Sequence, residues 1–348
     1  TAEDECAGLP EAELLAGTVP DLDLFHPWRI SVEEAIDLAQ RCEQAAFDQD
    51  ARIANSEGAS VSSQEAQFVS ANSLGFMGGY PTSRHYLSCS MIAGENEGMQ
   101  RDDWYSTRRA AEDLEAPEAV GAAAARRAVA RLGSRRIRTG DMPVLFEASV
   151  AATLLGNFVH AASGGALYRK ASFLTGALGT PVFPDHVRIV ERPHLPRGLA
   201  SSAFDNECVT TREREVVAGG ILQGYFLNVY TARKLGLQTT GNAGGSHNLI
   251  IEPGGDDFAA LVRRMGRGLV VSELLGQGVN YVTGDYSRGA AGFWVEDGEI
   301  VHPVEEITIA GNLRDMLRGI VAVGNDVLIR GSKQSGSLLL DRMTVGGD

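Results

Sequence analysis

Residues 276–298 read GQGVNYVTGDYSRGAAGFWVEDG, with six glycines in 23 positions. The run 279–283 (VNYVT) is β-branched and aromatic, and 291–296 brings Phe293, Trp294 and Val295 together. Both predict strands, and the pair Asp297 and Gly298 predicts a tight hairpin turn into a further strand at 299–303. So many glycines imply either several turns at positive φ or close backbone approach. Two readings stay open. One is a meander with tight turns. The other is a cradle whose backbone N–H groups and Arg288 hold an extended peptide or an anion.

Outward from this stretch the chain separates into two kinds of pattern. After an irregular, proline-marked start, with Leu22, Leu24, Phe25 and Trp28 as anchors, Ser31 and Glu34 form a capping-box signature. It opens a helix to about residue 47. Residues 52–101 alternate in short segments broken at 55–58, 72–75 and 94–96, as in an antiparallel sheet. Within it Leu87, Cys89 and Met91 share one face. A helix follows over 113–132, and its arginines, set among alanines, read as a solvated face. The composition changes near 139–141. Beyond it we expect a strand at 142–146, an apolar helix at 148–162, and strands at 187–190, 209–217 and 221–230. A short helix at 257–265 and a strand at 268–273 come next. A helix over 308–323, with Leu313, Met316, Leu317 and Ile320 in register, leads to closing strands at 337–340 and 343–345. The fold class is α+β in two domains. Residues 1–139 form a helix and antiparallel-sheet part. Residues 140–348 form a glycine-rich, mostly antiparallel β domain, a curved sheet or pseudo-barrel with flanking helices.

Composition narrows the function classes. The 348 residues are 44% hydrophobic and 22% charged, ordinary for a soluble globular protein. A net charge of −14 disfavours nucleic acid and anionic membranes as partners. No apolar run reaches the length of a bilayer span. Four separated cysteines, Cys6, Cys42, Cys89 and Cys208, read as reduced thiols of a cytosolic protein. The start at Thr1 points to a chain without its true N-terminal segment.

Catalytic signatures are sparse. No HExxH, HExxxH or paired-cysteine spacing occurs, and His160 stands alone on an apolar helix. No GxSxG elbow or phosphate-loop spacing is present. The loop Gly241, Asn242, Ala243, Gly244, Gly245, Ser246, His247 is the most suggestive. Its backbone suits an extended peptide and His247 could serve as acid or base, although a tight loop with a hydrogen-bonded histidine is the simpler reading.

Long contiguous stretches, however, resemble one family. They are 276–298, 303–326 (PVEEITIAGNLRDMLRGIVAVGND), 199–207 (LASSAFDNE), 168–174 (YRKASFL) and 232–248 (ARKLGLQTTGNAGGSHN). The resemblance is to the TldD/PmbA family in its PmbA, or TldE, branch, and runs from near residue 6 to Gly347. It implies a cytosolic bacterial protein that works with a TldD-like paralogous subunit as a heteromeric metallopeptidase. Such proteins are associated with microcin maturation, antitoxin degradation and the label "modulator of DNA gyrase". The first N-terminal segment of the family would be missing.

The resemblance also implies where the chemistry lies. TldD holds zinc through an HExxxH helix and a later cysteine, the glutamate serving as general base. The equivalent helix here reads LLGNFVHA over 154–161, which sets Gly156, Asn157 and Ala161 at the His, Glu and second His positions. No cysteine follows Cys208. The expectation is therefore a catalytically silent subunit with no cofactor of its own, zinc residing in the TldD partner. Arg233, Lys234, Gly241, Asn242, Gly244, Gly245 and His247 are expected to line a peptide path or the partner interface. Asp285 and Arg288 join that group, fixing a turn through a charged hydrogen bond. The isolated chain could self-associate. A stand-alone peptidase using His247, or a regulator of gyrase, are the alternatives.

Overall fold

The computed structural model describes residues 3–347. Helix α1 (Val32–Gln49) starts at the capping box read from the sequence: Glu34 N–H donates to Ser31 Oγ and Ser31 N–H to Glu34 Oε2. Strands β1 (Ile53–Ala71), β2 (Met77–Ala93) and β3 (Gln100–Arg108) form an antiparallel sheet in that order. The expected break at 55–58 is instead a pair of register shifts within one long strand, because a bulge absorbs the extra residues without ending the pairing. Helix α2 (Pro117–Ala130) packs with α1 on this sheet. Cys42, Ala46, Leu87, Cys89, Met91, Val120, Ala124 and Ala128 close a small core between them. Leu22 and Leu24 are buried as anchors and Trp28 sits edge-on to His85, whereas Phe25 is exposed.

One sequence reading fails on α2. Arg127 and the following Arg131 do not face solvent. Arg127 pairs with Asp102 at 3.1 Å and Glu147 at 2.7 Å, and Arg131 with Glu273 at 2.6 Å. Glu147 and Glu273 lie beyond residue 139, so these ion pairs tie the helix to the C-terminal half of the chain. A helix contacts its surroundings on every side that is covered, and sequence alone did not show that Glu147 and Glu273 lie against this one.

The C-terminal half continues with β4 (Gly140–Phe146), α3 (Ala148–Ala161), α4 (Gly164–Tyr168), β5 (Ile189–Glu191), β6 (Arg214–Ala218) and β7 (Ile221–Leu222). Then come α5 (Val229–Leu235), β8 (Leu249–Ile251), α6 (Phe258–Met265), β9 (Gly268–Leu275), β10 (Asp285–Glu296) and β11 (Glu299–Asn312). Helix α7 (Leu313–Arg318), β12 (Ile320–Val323), β13 (Lys333–Gln334) and β14 (Leu338–Gly346) complete it. Strands β11, β10, β9, β4 and β14 are neighbours in that order, and β11 pairs again with β14 through Thr308 and Gly346. The sheet thus closes on itself as a five-stranded barrel, which removes its open edges; β12 extends from β14. Only β4 and β9 pair in parallel within it. A second sheet orders β13, β8, β5, β6 and β7.

Alternation sorts the barrel residues. Val144 and Phe146 join the main core with Leu154, Phe158, Leu269, Val271, Ile309 and Leu340, while Leu145 and Val270 face the other way onto Leu261, Val262 and Met265 of α6. Several expected elements change. Residues 281–283 form a turn, and Val279 makes an isolated bridge to Tyr286. The expected helix over 308–323 shrinks to α7, because Thr308, Ile309 and Ala310 pair with β14 and Ile320 begins β12. The strand expected at 221–230 stops at Leu222, and Val229 and Tyr230 open α5 under an Asn228 cap. The two closing strands are one, bulged between Leu340 and Met343. The glycine question is answered both ways. Gly276, Gly284 and Gly298 turn at positive φ, and a Cβ on Gly292 would lie 1.8 Å from the Val270 carbonyl oxygen across the β9–β10 bulge.

Candidate functional site

Helix α3 leaves the barrel at the end of β4. Its Ala148 N–H is capped by Ser337 Oγ at 3.0 Å. Leu154, Leu155, Phe158 and Ala161 point into the main core. With a period of 3.6 residues, the opposite stripe holds Ser149, Val150, Thr153, Gly156, Asn157 and His160, all exposed or half-buried.

The glycine-rich stretch folds onto this stripe. Tyr281 stacks on the His160 ring with centroids 3.9 Å apart, and its hydroxyl donates to Asn157 Oδ1 at 3.0 Å. Its carbonyl accepts from Phe173 N–H at 2.8 Å. Burial raises the Tyr281 pKa, opposed by the Arg288 charge, so the phenol is held as a hydrogen-bond donor at neutral pH. Residues 276–284 and α3 are distant in sequence and adjacent in space. Sequence reading missed Tyr281; its place inside the glycine-rich stretch was the available signal.

Whether this helix suits zinc can be judged from its side chains. Gly156 offers no donor, and a Cβ built there meets nothing within 4 Å. Asn157 is a neutral amide engaged by Tyr281. The Ala161 methyl is fully buried. Cys208 is buried elsewhere, with Ser70 Oγ 3.1 Å from its sulfur. These residues do not fit a zinc site, and among the described residues no group of three or more His, Cys, Asp or Glu could hold a metal ion.

The other residues singled out from sequence fall into separate places. Arg233 and Lys234 hold the N-terminal segment of the same chain. Arg233 donates to Leu9 O and pairs with Glu11, both at 2.8 Å, and Lys234 pairs with Asp4 at 2.9 Å. Asn242 is a buried hub: its Nδ2 donates to Glu191 Oε1 at 2.8 Å and to Gly245 O at 3.0 Å, and its Oδ1 accepts from Arg214. Arg214 in turn pairs with Glu191, whose side chain is 2% exposed. Gly241, Gly244 and Gly245 turn the loop at positive φ. His247 Nε2 lies 3.0 Å from Gly241 O, and Ser246 Oγ is buried without a partner among the described residues. The structure therefore brings no Ser246–His247 hydrogen bond together.

Asp285 and Arg288 do not form the expected charged hydrogen bond. Three residues apart on β10, they point to opposite faces. Asp285 accepts from Thr283 Oγ1 at 2.6 Å and Asn312 Nδ2 at 3.3 Å, while Arg288 donates to Leu274 O at 3.4 Å and lies beside the Tyr286 hydroxyl.

With this geometry in hand, comparison with known proteins is direct. Residues 25–132 match the PmbA/TldA metallopeptidase central domain, and residues 139–347 the C-terminal domain of the same family. The chain belongs to the PmbA/TldA metallopeptidase family. A metalloprotease PmbA of Escherichia coli O157:H7 is 52% identical over 347 residues, an alignment covering all of this chain and 77% of that protein. A crystal structure from Thermotoga maritima, described as a candidate modulator of a DNA gyrase, superposes with a TM-score of 0.90 at 33% identity. It covers 98% of this chain and 80% of that one. A TldE from Thermococcus kodakarensis shares the fold with a TM-score of 0.85 at 20% identity, over 100% of this chain and 81% of that chain. Within the PmbA/TldA family the chain is of the PmbA/TldE type. Among the described residues, no helix is long and apolar enough to cross a membrane.

Proposed function

We propose that this PmbA/TldE-type chain is the catalytically silent subunit of a cytosolic peptidase. Its partner is a TldD-like paralogue that carries the zinc, and its substrates are extended or unfolded peptides. One observation carries the reading: at the α3 positions that the family resemblance assigns to zinc ligands and general base stand a glycine, a tyrosine-bound amide and a buried methyl. None of these can bind zinc or activate water. The exposed stripe of α3 then becomes wall rather than catalyst, with Tyr281 closing over it. Four free cysteines accord with a reducing compartment.

The test is to purify this chain, its TldD-like paralogue and their mixture, then measure zinc by elemental analysis and hydrolysis of an unfolded peptide. The expected result is zinc in the paralogue and an increase in hydrolysis when this chain is added. Stoichiometric zinc with hydrolysis by this chain alone would overturn the proposal, as would a mixture no more active than the paralogue.

A further inference from the structure

A cavity of about 280 Å³ opens beside the first turns of α3, lined by Ser149, Val150 and Thr153 of that helix together with residues of β3 and β9. Five arginines face it: Arg101, Arg127, Arg131, Arg288 and Arg330. Three are matched by carboxylates. Arg101 pairs with Glu57 at 2.5 Å, Arg127 with Asp102 and Glu147, and Arg131 with Asp102 and Glu273.

Arg288 and Arg330 have no such match among the described residues. Arg288 Nε and Arg330 Nη2 are both buried without a hydrogen-bond partner. Guanidinium N–H groups shielded from water and left unpaired are uncommon, and call for a functional or bound partner. Arg330 is also held rigidly, its guanidinium carbon 3.9 Å from the Trp104 ring centre and 4.0 Å from that of Tyr105. Aromatic contact occupies the face of a guanidinium and leaves its in-plane N–H edge to grip a planar oxyanion. Tyr286, two residues before Arg288 on the same strand face, buries its hydroxyl beside the Arg288 guanidinium, behind the cavity lining.

The remaining lining charge indicates which oxyanion. Asp103 faces the cavity with no ion pair among the described residues, beside Asp102 and Glu273. These carboxylates penalise a doubly charged phosphate more than a singly charged carboxylate. The cavity also adjoins the exposed stripe of α3 that ends at Asn157 and His160. An extended chain lying along that stripe reaches the cavity with its end.

We propose that Arg288 and Arg330 form a subsite for the carboxylate of a bound peptide, placed at the N-terminal end of the exposed α3 stripe. This inference rests on the peptide-binding reading above and adds a chemical preference to it.

The experiment uses the full chain, alone and mixed with its paralogue, and a fluorescein-labelled ten-residue peptide without acidic side chains. Three forms are titrated by anisotropy: free acid, C-terminal amide, and the amide with one internal Glu. The free acid is expected to bind about tenfold tighter than the amide. R288Q and R330Q are each expected to erase that difference. R288Q, away from the Trp104 and Tyr105 contact, keeps the test valid if R330Q lowers the melting temperature. Recovery of tight binding by the internal-Glu amide alone would assign the subsite to a side-chain carboxylate and overturn the terminal placement. Equal binding of acid and amide would overturn the subsite while leaving the peptide reading intact. No binding of any form, by the chain or the mixture, would overturn the peptide reading itself.

Discussion

The Tyr281 hydroxyl donates to Asn157 Oδ1 at 3.0 Å, joining the glycine-rich stretch to the helix where the family resemblance places a catalytic glutamate. The same ring stacks on His160. Tyr281→Phe should cost about 1 kcal/mol, the net worth of one such hydrogen bond, and Asn157→Ala a similar amount. Because each removes the same bond, the double variant should cost less than the sum by roughly 0.5 kcal/mol or more. Urea unfolding of the four proteins measures this. Strict additivity would show that the contact contributes nothing in solution.

Two helical glycines should respond oppositely to alanine. A Cβ on Gly121 would lie 1.8 Å from the Cys42 carbonyl oxygen, where α2 crosses α1. Gly121→Ala must push the helices apart, at a cost of about 2–3 kcal/mol. Gly156 has open space around its missing Cβ, so Gly156→Ala should stabilise the chain by about 0.5–1 kcal/mol through helix propensity. Thermal melts of the two variants check the sign. A destabilised Gly156→Ala would mean that the α3 face is covered in solution.

Arg127 is the junction between the two halves, bonded to Asp102 of β3 and Glu147 at the head of α3. Its side chain is 18% exposed. Burial by itself would lower its pKa, but the Glu147 and Asp102 charges outweigh that and raise it. Arg127→Ala strands Glu147 and leaves Asp102 only its longer contact with Arg131, at 3.6 Å, and should cost about 3 kcal/mol. A shift below about 1 kcal/mol in denaturant unfolding would place this network among weak surface pairs.

Asp50, at the end of α1, is held at a pKa of about 2 by side-chain hydrogen bonds from Arg52, with the Arg52 backbone N–H adding to them. A carboxylate whose folded pKa is depressed stabilises the fold above its unfolded value near 3.8, and this contribution disappears as pH falls towards 2. Carbon-detected NMR titration should therefore find Asp50 still ionised at pH 3, and Arg52→Ala should return its midpoint to the ordinary range. A wild-type midpoint near 4 would contradict the contact.

Much of the local structure was written in the sequence. The Ser31 and Glu34 cap, the Leu87–Cys89–Met91 alternation, the α3 and α6 periodicities and the Asp297 and Gly298 turn all depend on residues within a few positions of one another. The errors share one cause. At 308–323 an apolar spacing suited to a helix was overridden by pairing of Thr308, Ile309 and Ala310 with β14. At 279–283 a β-branched run gave way to a turn because Asn280 accepts the Gly284 N–H and Phe173 claims the Tyr281 carbonyl. The β14 and Phe173 partners lie well outside a local window and leave no trace in it.

What the sequence determined by itself was the family pattern, the acidic net charge and the want of zinc-binding residue types at Gly156, Asn157 and Ala161. What only the tertiary structure decided was adjacency. The 276–284 segment folds beside α3, so Tyr281 covers Asn157, and Arg288 of β10 faces one cavity with Arg330 and with β3 residues from the N-terminal half. The reason is physical. Composition and periodicity report which face of an element is buried, but the partner on that face is selected by strand pairing and packing across the whole chain.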